Sequence, residues 1–155
     1  MMKKQQGWIH MPVPLAILVA VLMALSCACF DMSSLVTRTS FWLGFALCLL
    51  AASICVAAVI SFRRAKTTVD PRFPEQSNQL VVAGVFNYSR NPMYVGFVIA
   101  LFAWVLILGN PWTLLWVVAY WLFMDRYQIR HEEQALEKKF GESYQEYCQR
   151  VRRWV

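Results

Sequence analysis

Residues 91–124 read "NPMYVGFVIALFAWVLILGNPWTLLWVVAYWLFM", 34 consecutive positions without a charged side chain. A membrane-spanning helix needs about 20 apolar residues, so this run is too long for one span. The "GNP" at Gly109–Pro111 interrupts it with a helix-stopping glycine and a proline that lacks an amide donor. The stretch therefore predicts a helical hairpin, Pro92–Leu108 followed by Trp112–Met124. The second limb is short, so it must continue past Met124 or lie where the bilayer is thin. Pro12–Phe30 and Phe41–Phe62 are further uncharged runs of 19 and 22 residues. Each fits one span. Of the 155 residues 59% are hydrophobic and 15% charged, a balance that moves the chain from the soluble to the membrane class. The expected fold is all-α: a polytopic membrane helix bundle of about four spans with a cytoplasmic C-terminal helical extension.

Charge placement orients this bundle. Lys3 and Lys4 precede the first run and the loop after it carries Arg38 alone. Loop 63–90 carries Arg63, Arg64, Lys66, Arg72 and Arg90, and the tail after Met124 carries seven Lys and Arg, so one set of ends holds 14 of the 15. By the positive-inside rule, both termini and the 63–90 loop are expected on the cytoplasmic side, in a multi-pass protein of a bacterial inner membrane. Topology and anionic head groups then account for the net charge of +6. No nucleic-acid partner is needed. "MMKK…PLAILVAVLMALSCAC" also has the order of a signal peptide, but nineteen apolar residues are long for a cleaved segment, and an uncleaved first helix is expected.

Several chemistries are excluded. The cysteines at 27, 29, 48, 55 and 148 form no CxxC pair and four lie in proposed spans, where cysteine acts as a small apolar residue. His10 and His131 are the only histidines, which excludes a histidine-rich metal centre, and no metal is expected. There is no Ser-His-Asp arrangement and neither GxGxxG nor GxxxxGK. Small residues in the second run (Gly44, Ala51, Ala52, Ser53, Ala57, Ala58) should let helices approach closely.

What remains lies at the edge of the apolar region. "FNYSRNPMYVGF" (86–97) places Asn87, Tyr88, Ser89, Arg90 and Asn91 directly before Pro92. In the tail, the fourth helix should continue to about Lys139 and stop at Gly141. A shorter helix, roughly 143–152, should follow, with Tyr144, Tyr147 and Val151 on one face. On the first tail helix, Ile129, Glu132, Glu133, Leu136 and Phe140 share a face at spacings of three and four. Arg126, Arg130, Glu133 and Glu137 are also spaced for intrahelical pairs. The turn and this helix together should form a mouth with Phe86, Tyr88, Tyr94, Tyr127, arginines and the Glu pair. A carboxylate there holds an ammonium, an aromatic face accepts a sulfonium, and an arginine holds a carboxylate.

The Arg-x-Pro-x-Tyr element at Arg90, Pro92 and Tyr94, the paired Glu132 and Glu133, and the ending "FGESYQEYCQRVRRW" occur in order from about Thr67 to Trp154. In these features the chain resembles the isoprenylcysteine carboxyl methyltransferase and phospholipid methyltransferase family of integral membrane enzymes. The resemblance implies S-adenosylmethionine as methyl donor and a lipophilic or small carboxylate, amine or thiol acceptor reaching it at the cytoplasmic face. It implies a single membrane domain, with 1–62 as two scaffold spans and 63–155 as the methyltransferase core. Tyr88, Asn91, Pro92, Tyr94, Gly96, His131, Glu132 and Glu133 are the implied cofactor-binding residues, with Glu132 facing the amino group. Arg90, Glu132 and Arg130 are the implied catalytic set. Asn91 stands where the prenylcysteine enzymes have histidine, and those enzymes tend to be longer.

Two other readings are carried. A membrane reductase of related architecture would use NADPH in a similar pocket. A non-enzymatic accessory protein would leave Glu132 and Glu133 solvated.

Overall fold

The structure, a computed structural model, describes residues 12–29, 36–65 and 80–155. Lys3, Lys4, His10, Lys66, Arg72 and the rest of 66–79, half of the 63–90 loop, therefore lie outside the described residues. Six α-helices follow in order: α1 (Pro12–Cys29), α2 (Arg38–Arg64), α3 (Pro92–Leu108), α4 (Leu114–Phe123), α5 (Ile129–Phe140) and α6 (Glu142–Arg150). The described residues contain no strand. The protein is all-α. By length and composition α1 and α2 can each cross a membrane, and α3 is a shorter apolar helix of 17 residues.

Each boundary has a local cause. Thr37 caps α2 reciprocally with Ser40: the Ser40 amide donates to Thr37 Oγ1 (3.0 Å) and the Thr37 amide to Ser40 Oγ (2.9 Å). Arg63 and Arg64 occupy the last turn of α2, where cations complement the helix dipole. Pro92 begins α3, where its missing N–H costs nothing. Gly109 ends α3 with φ of 64°, a left-handed conformation that favours glycine. Asn110 Oδ1 then accepts from the Trp112 amide (3.0 Å), and a short 3-10 turn, Pro111–Thr113, leads into α4. The hairpin read from "GNP" is thus present.

The second limb departs from a plain α-helix. It passes from α4 through a five-residue π turn, Met124–Gln128, directly into α5. The helix therefore continues past Met124 to Phe140, but with its register offset along the way. Gly141 (φ 52°) separates α5 from α6.

The α2–α3 contact depends on small side chains. Gly44, Ala51 and Ala58, spaced by seven, are the buried residues of α2. A Cβ on Gly44 would stand 2.8 Å from Ile107 Cγ1 and 2.9 Å from the Ala103 carbonyl; one on Gly96 would stand 2.5 Å from Cys55 Sγ. The opposite face of α2 exposes Trp42, Leu43, Leu49, Leu50 and Val56, as a helix against lipid does.

The helices alternate in direction. At one end Val36, just before α2, meets Gly109 at the end of α3. At the other end Phe62 of α2 packs edge-on to Phe86 (5.1 Å), just before α3. The Tyr120 hydroxyl, near the end of α4, donates to the carbonyl of Pro12, the first residue of α1 (3.4 Å), and Trp104 Nε1 donates to the Ala20 carbonyl (3.1 Å). The start of α1, the end of α2, the start of α3 and the end of α4 therefore gather together. The main core joins Val19 and Met23 of α1 to Tyr94, Leu101 and Val105 of α3, Val117 and Tyr120 of α4, Met124 and Ile129.

Residues 80–87 stitch that end together. Leu80 and Val82 pack with Tyr144, Tyr147 and Val151, whereas Val81, Val85 and Phe86 pack with Ala58 and Phe62. Alternate residues of an extended segment point to opposite sides, so Leu80, Val81 and Val82 divide between the two clusters. The face expected on α6 is the one buried.

Gly96→Ala should destabilise the protein by about 1–3 kcal/mol through overpacking, read as a lowered melting temperature in detergent. Adding Cys55→Ala should restore part of the loss. Full restoration is not expected, because the Ala51 carbonyl also lies 3.1 Å from the new methyl group.

Candidate active site

The site is assembled where the turn before α3, the π turn with α5, and the segment after α6 meet. In the turn, Ser89 Oγ accepts from the Asn91 amide (3.0 Å), a local bond that bends the chain. The Asn91 carbonyl accepts from the amides of Tyr94 (3.0 Å) and Val95 (3.1 Å) and so starts α3. The turn is tied to the segment after α6: the Arg90 amide donates to the Arg152 carbonyl (3.0 Å) and Asn91 Nδ2 to the Arg153 carbonyl (3.0 Å).

Tyr94 is buried one turn into α3, and its hydroxyl donates to Glu132 Oε1 (2.5 Å). Gln128 Nε2, one turn before Glu132, donates to the same oxygen (2.6 Å). Glu132 Oε2 has no hydrogen bond among the described residues. Glu133 points elsewhere, to Arg90 Nη1 (3.2 Å) and to both Nε (3.1 Å) and Nη2 (2.5 Å) of Arg153. Arg153 Nη1 reaches Asp125 Oδ1 (3.1 Å), which also accepts from Trp154 Nε1 (2.9 Å).

The adjacent carboxylates thus have different electrostatic settings. Glu133 is neutralised by two guanidinium groups. Burial pushes the Glu132 carboxyl up to about 7; the bonds from Tyr94 and Gln128 oppose this and the charge of Glu133 adds to it. The Arg153 guanidinium is raised, chiefly by its bonds to Glu133. One donor is left over: Arg90 Nε is buried and has no partner among the described residues. A buried unpaired donor costs about 1–3 kcal/mol, so this position favours an incoming acceptor.

Of the residues read from the sequence, the structure brings together Tyr94 and Glu132, with Arg90, Asn91 and Glu133 around them. Pro92 is buried as the first residue of α3. Gly96 lies against Cys55 and Ala51 of α2. Tyr88 is 77% exposed, and Arg130 and His131 are exposed on α5. The four aromatics expected at one mouth do not converge. Phe86 is buried against Phe62, while Tyr127 stacks on Phe123 (5.2 Å) and is largely exposed. Glu133 is used across the fold instead of in an intrahelical pair. Sequence reasoning missed Asp125, Gln128, Arg153 and Trp154. Gln128 sits one turn before Glu132, which is a usable signal. The partners of Asp125 and Arg153 are distant in sequence and leave none.

The raised Glu132 carboxyl has a definite consequence. An ordinary glutamate has the value 4.5, so between about 4.5 and about 7 the folded protein binds more protons than the unfolded chain. Stability should then fall as pH rises through that window and level off above it. Each unit is worth about 1.4 kcal/mol, so the total is at most about 3.5 kcal/mol. Glu132→Gln should remove this part of the pH dependence, giving a higher melting temperature than the parent at pH 8 and little difference near pH 5.

The phospholipid methyltransferase family model matches residues 39–143, from the first turn of α2 to the start of α6. A probable protein-S-isoprenylcysteine O-methyltransferase of Oryza sativa subsp. indica is 31% identical over 71% of this chain and 58% of its own length. The protein-S-isoprenylcysteine O-methyltransferase of Schizosaccharomyces pombe is 40% identical over 46% of this chain and 30% of its own length. The delta(14)-sterol reductase TM7SF2 of Mus musculus is 36% identical over 47% of this chain but only 18% of its own length. The chain thus spans little more than half the length of the rice relative. No solved structure matches. With two thirds of its residues inside the family model, the chain belongs to the phospholipid methyltransferase family.

Proposed function

We propose that the protein is an S-adenosylmethionine-dependent methyltransferase of a membrane, working at the cytoplasmic face. The carrying observation is Glu132. One of its oxygens is held by Tyr94 and Gln128, and the other has no hydrogen bond among the described residues. The donor set fits the cofactor's three charged groups. Glu132 suits its ammonium, the rings of Tyr94 and Phe97 (6.3 Å apart) suit its sulfonium, and the unpartnered Arg90 Nε suits its carboxylate.

When bound, the cofactor supplies an electrophilic methyl group. The protein's part is to bind, orient and exclude water. Tyr94 and Gln128 hold Glu132 in one rotamer, and Glu133 with Arg153 holds Arg90. Ionised Glu132 attracts a cation, so affinity for the cofactor should rise as pH passes through about 7. The names of the relatives support a lipophilic acceptor. Asn91 is committed to the Arg153 carbonyl, which leaves the acceptor class open to carboxylates, amines and thiols.

A four-span topology accompanies this reading. The alternating directions of α1 to α4 support it, as does exposed Trp112 (64%) at one end of α4, an interfacial position favoured by tryptophan. Arg63, Arg64, Arg90, Arg126 and Arg130 gather at the opposite end, which supports a cytoplasmic site. The accessory-protein reading needs Glu132 and Glu133 in solvent, and both are instead partly buried and bonded.

Calorimetry on detergent-purified protein should show binding of S-adenosylmethionine and competition by S-adenosylhomocysteine. Glu132→Ala should abolish it, and Tyr94→Phe should weaken it by about tenfold, near the worth of one hydrogen bond to a charged group. Stabilisation by NADPH and not by S-adenosylmethionine would transfer the protein to the reductases. Transfer of a labelled methyl group to membrane lipids, prenylcysteine analogues or small thiols then identifies the acceptor.

A further inference from the structure

Arg153 joins the site through both its main chain and its side chain. Its carbonyl accepts from Asn91 Nδ2 (3.0 Å) and from Ser89 Oγ (3.4 Å), on the turn that starts α3. Its guanidinium forks onto Glu133 of α5 through Nε and Nη2 and reaches Asp125 of the π turn through Nη1. Next to it, the Arg152 carbonyl accepts from the Arg90 amide (3.0 Å), and Trp154 donates to Asp125 while its ring lies 6.0 Å from that of Trp121. One short segment thus holds the first turn of α3 on one side and the α4–α5 helix on the other. The Tyr94–Glu132 hydrogen bond crosses the same gap, and the hydrogen bonds of Arg153 go to Ser89, Asn91, Asp125 and Glu133 and to neither of these two residues.

We propose that Arg153 is a positioning residue: it clasps the first turn of α3 to α5 and thereby keeps Glu132 dry and in register with Tyr94. The guanidinium fork is the operative feature, because it fixes a planar carboxylate in orientation as well as in distance. Without it, Glu133 retains Arg90 alone, and the turn at 89–91 loses its fixed anchor. The start of α5 then separates from α3 enough to admit water to Glu132. The groups that bear on Glu132 are Tyr94 from α3 and Gln128 and Glu133 from its own helix. Arg90 from the turn and Arg153 act on it through Glu133. The clasp rests on the methyltransferase reading only where a cofactor is used as probe.

The test is a double-mutant cycle on the full chain in detergent, without ligand, reading melting temperature at pH 5.5 and 8.5. In the parent, Glu132→Gln should raise the melting temperature at pH 8.5 and change little at pH 5.5. In an Arg153→Ala background that gain should fall by half or more, because a hydrated carboxylate gains nothing from neutralisation. Arg153→Lys, which keeps the charge but not the fork, should give an intermediate value, and it carries the cycle if Arg153→Ala does not fold. Exposed Arg150→Ala should leave the gain intact. A gain that persists unchanged in both Arg153 variants overturns the clasp and leaves Arg153 as a simple ion-pair partner. As a second arm, affinity for S-adenosylhomocysteine should drop tenfold or more in Arg153→Ala and less in Arg153→Lys. Equal affinity in parent and variants also overturns the clasp. A parent that shows the cycle but no binding overturns the cofactor reading and leaves the clasp standing.

Discussion

The hydrogen bond between the Tyr94 hydroxyl and Glu132 joins the membrane part of this protein to its polar end. Tyr94 belongs to the main apolar core, packed among residues of α1, α3 and α4, whereas Glu132 lies two turns beyond the last uncharged residue of the long run. A buried tyrosine hydroxyl needs a partner, and a partly buried carboxylate needs donors. Each satisfies the other, and Gln128 adds a second donor to the same oxygen. With Glu132 held this way, α5 is fixed in rotation, and Glu133 must face the turn and the segment after α6.

The π turn makes this possible. An uninterrupted helix from Leu114 would carry one register from the apolar limb into the charged limb. The apolar limb buries Val117, Tyr120 and Met124, and the charged limb buries Ile129 while presenting Glu132 to Tyr94. One π turn adjusts the phase between these two demands. Such turns often occur at functional sites because they change what a helix presents without ending it. Here the turn also brings Asp125 to Arg153 and Trp154.

Two kinds of adhesion divide the structure. Between α2 and α3 it is close approach of small residues, which needs no polar group and works in lipid. Around the site it is a connected set of charges: Asp125, Arg153, Glu133 and Arg90. Exposed ion pairs contribute little, but these side chains are 15–29% exposed and share partners, so losing one leaves another uncompensated. The network serves less as a store of stability than as a means of holding Glu132 and Arg90 in fixed relation.

Much of the helical framework was legible in the order of residues alone. The uncharged runs, the "GNP" break, Gly141 and the buried face of α6 all rest on local properties: helix period, backbone freedom of glycine and the missing donor of proline. The pairing of the Arg90–Tyr94 turn with the Glu132–Glu133 helix was legible as a resemblance and as a chemical complement. The division of labour between the glutamates was only partly so. Neither the π turn nor the roles of Arg153 and Asp125 could be read, because their bonds join residues 20 to 28 positions apart or more. The expected gathering of four aromatics failed for the same reason: whether a tyrosine turns inward depends on the helix beside it. By itself the sequence determined where helices form and which ends carry charge, since these follow from each residue and its near neighbours. Only the tertiary structure decided which carboxylate is kept half-dry and which is neutralised, because desolvation and ion pairing are properties of the surroundings and not of the residue.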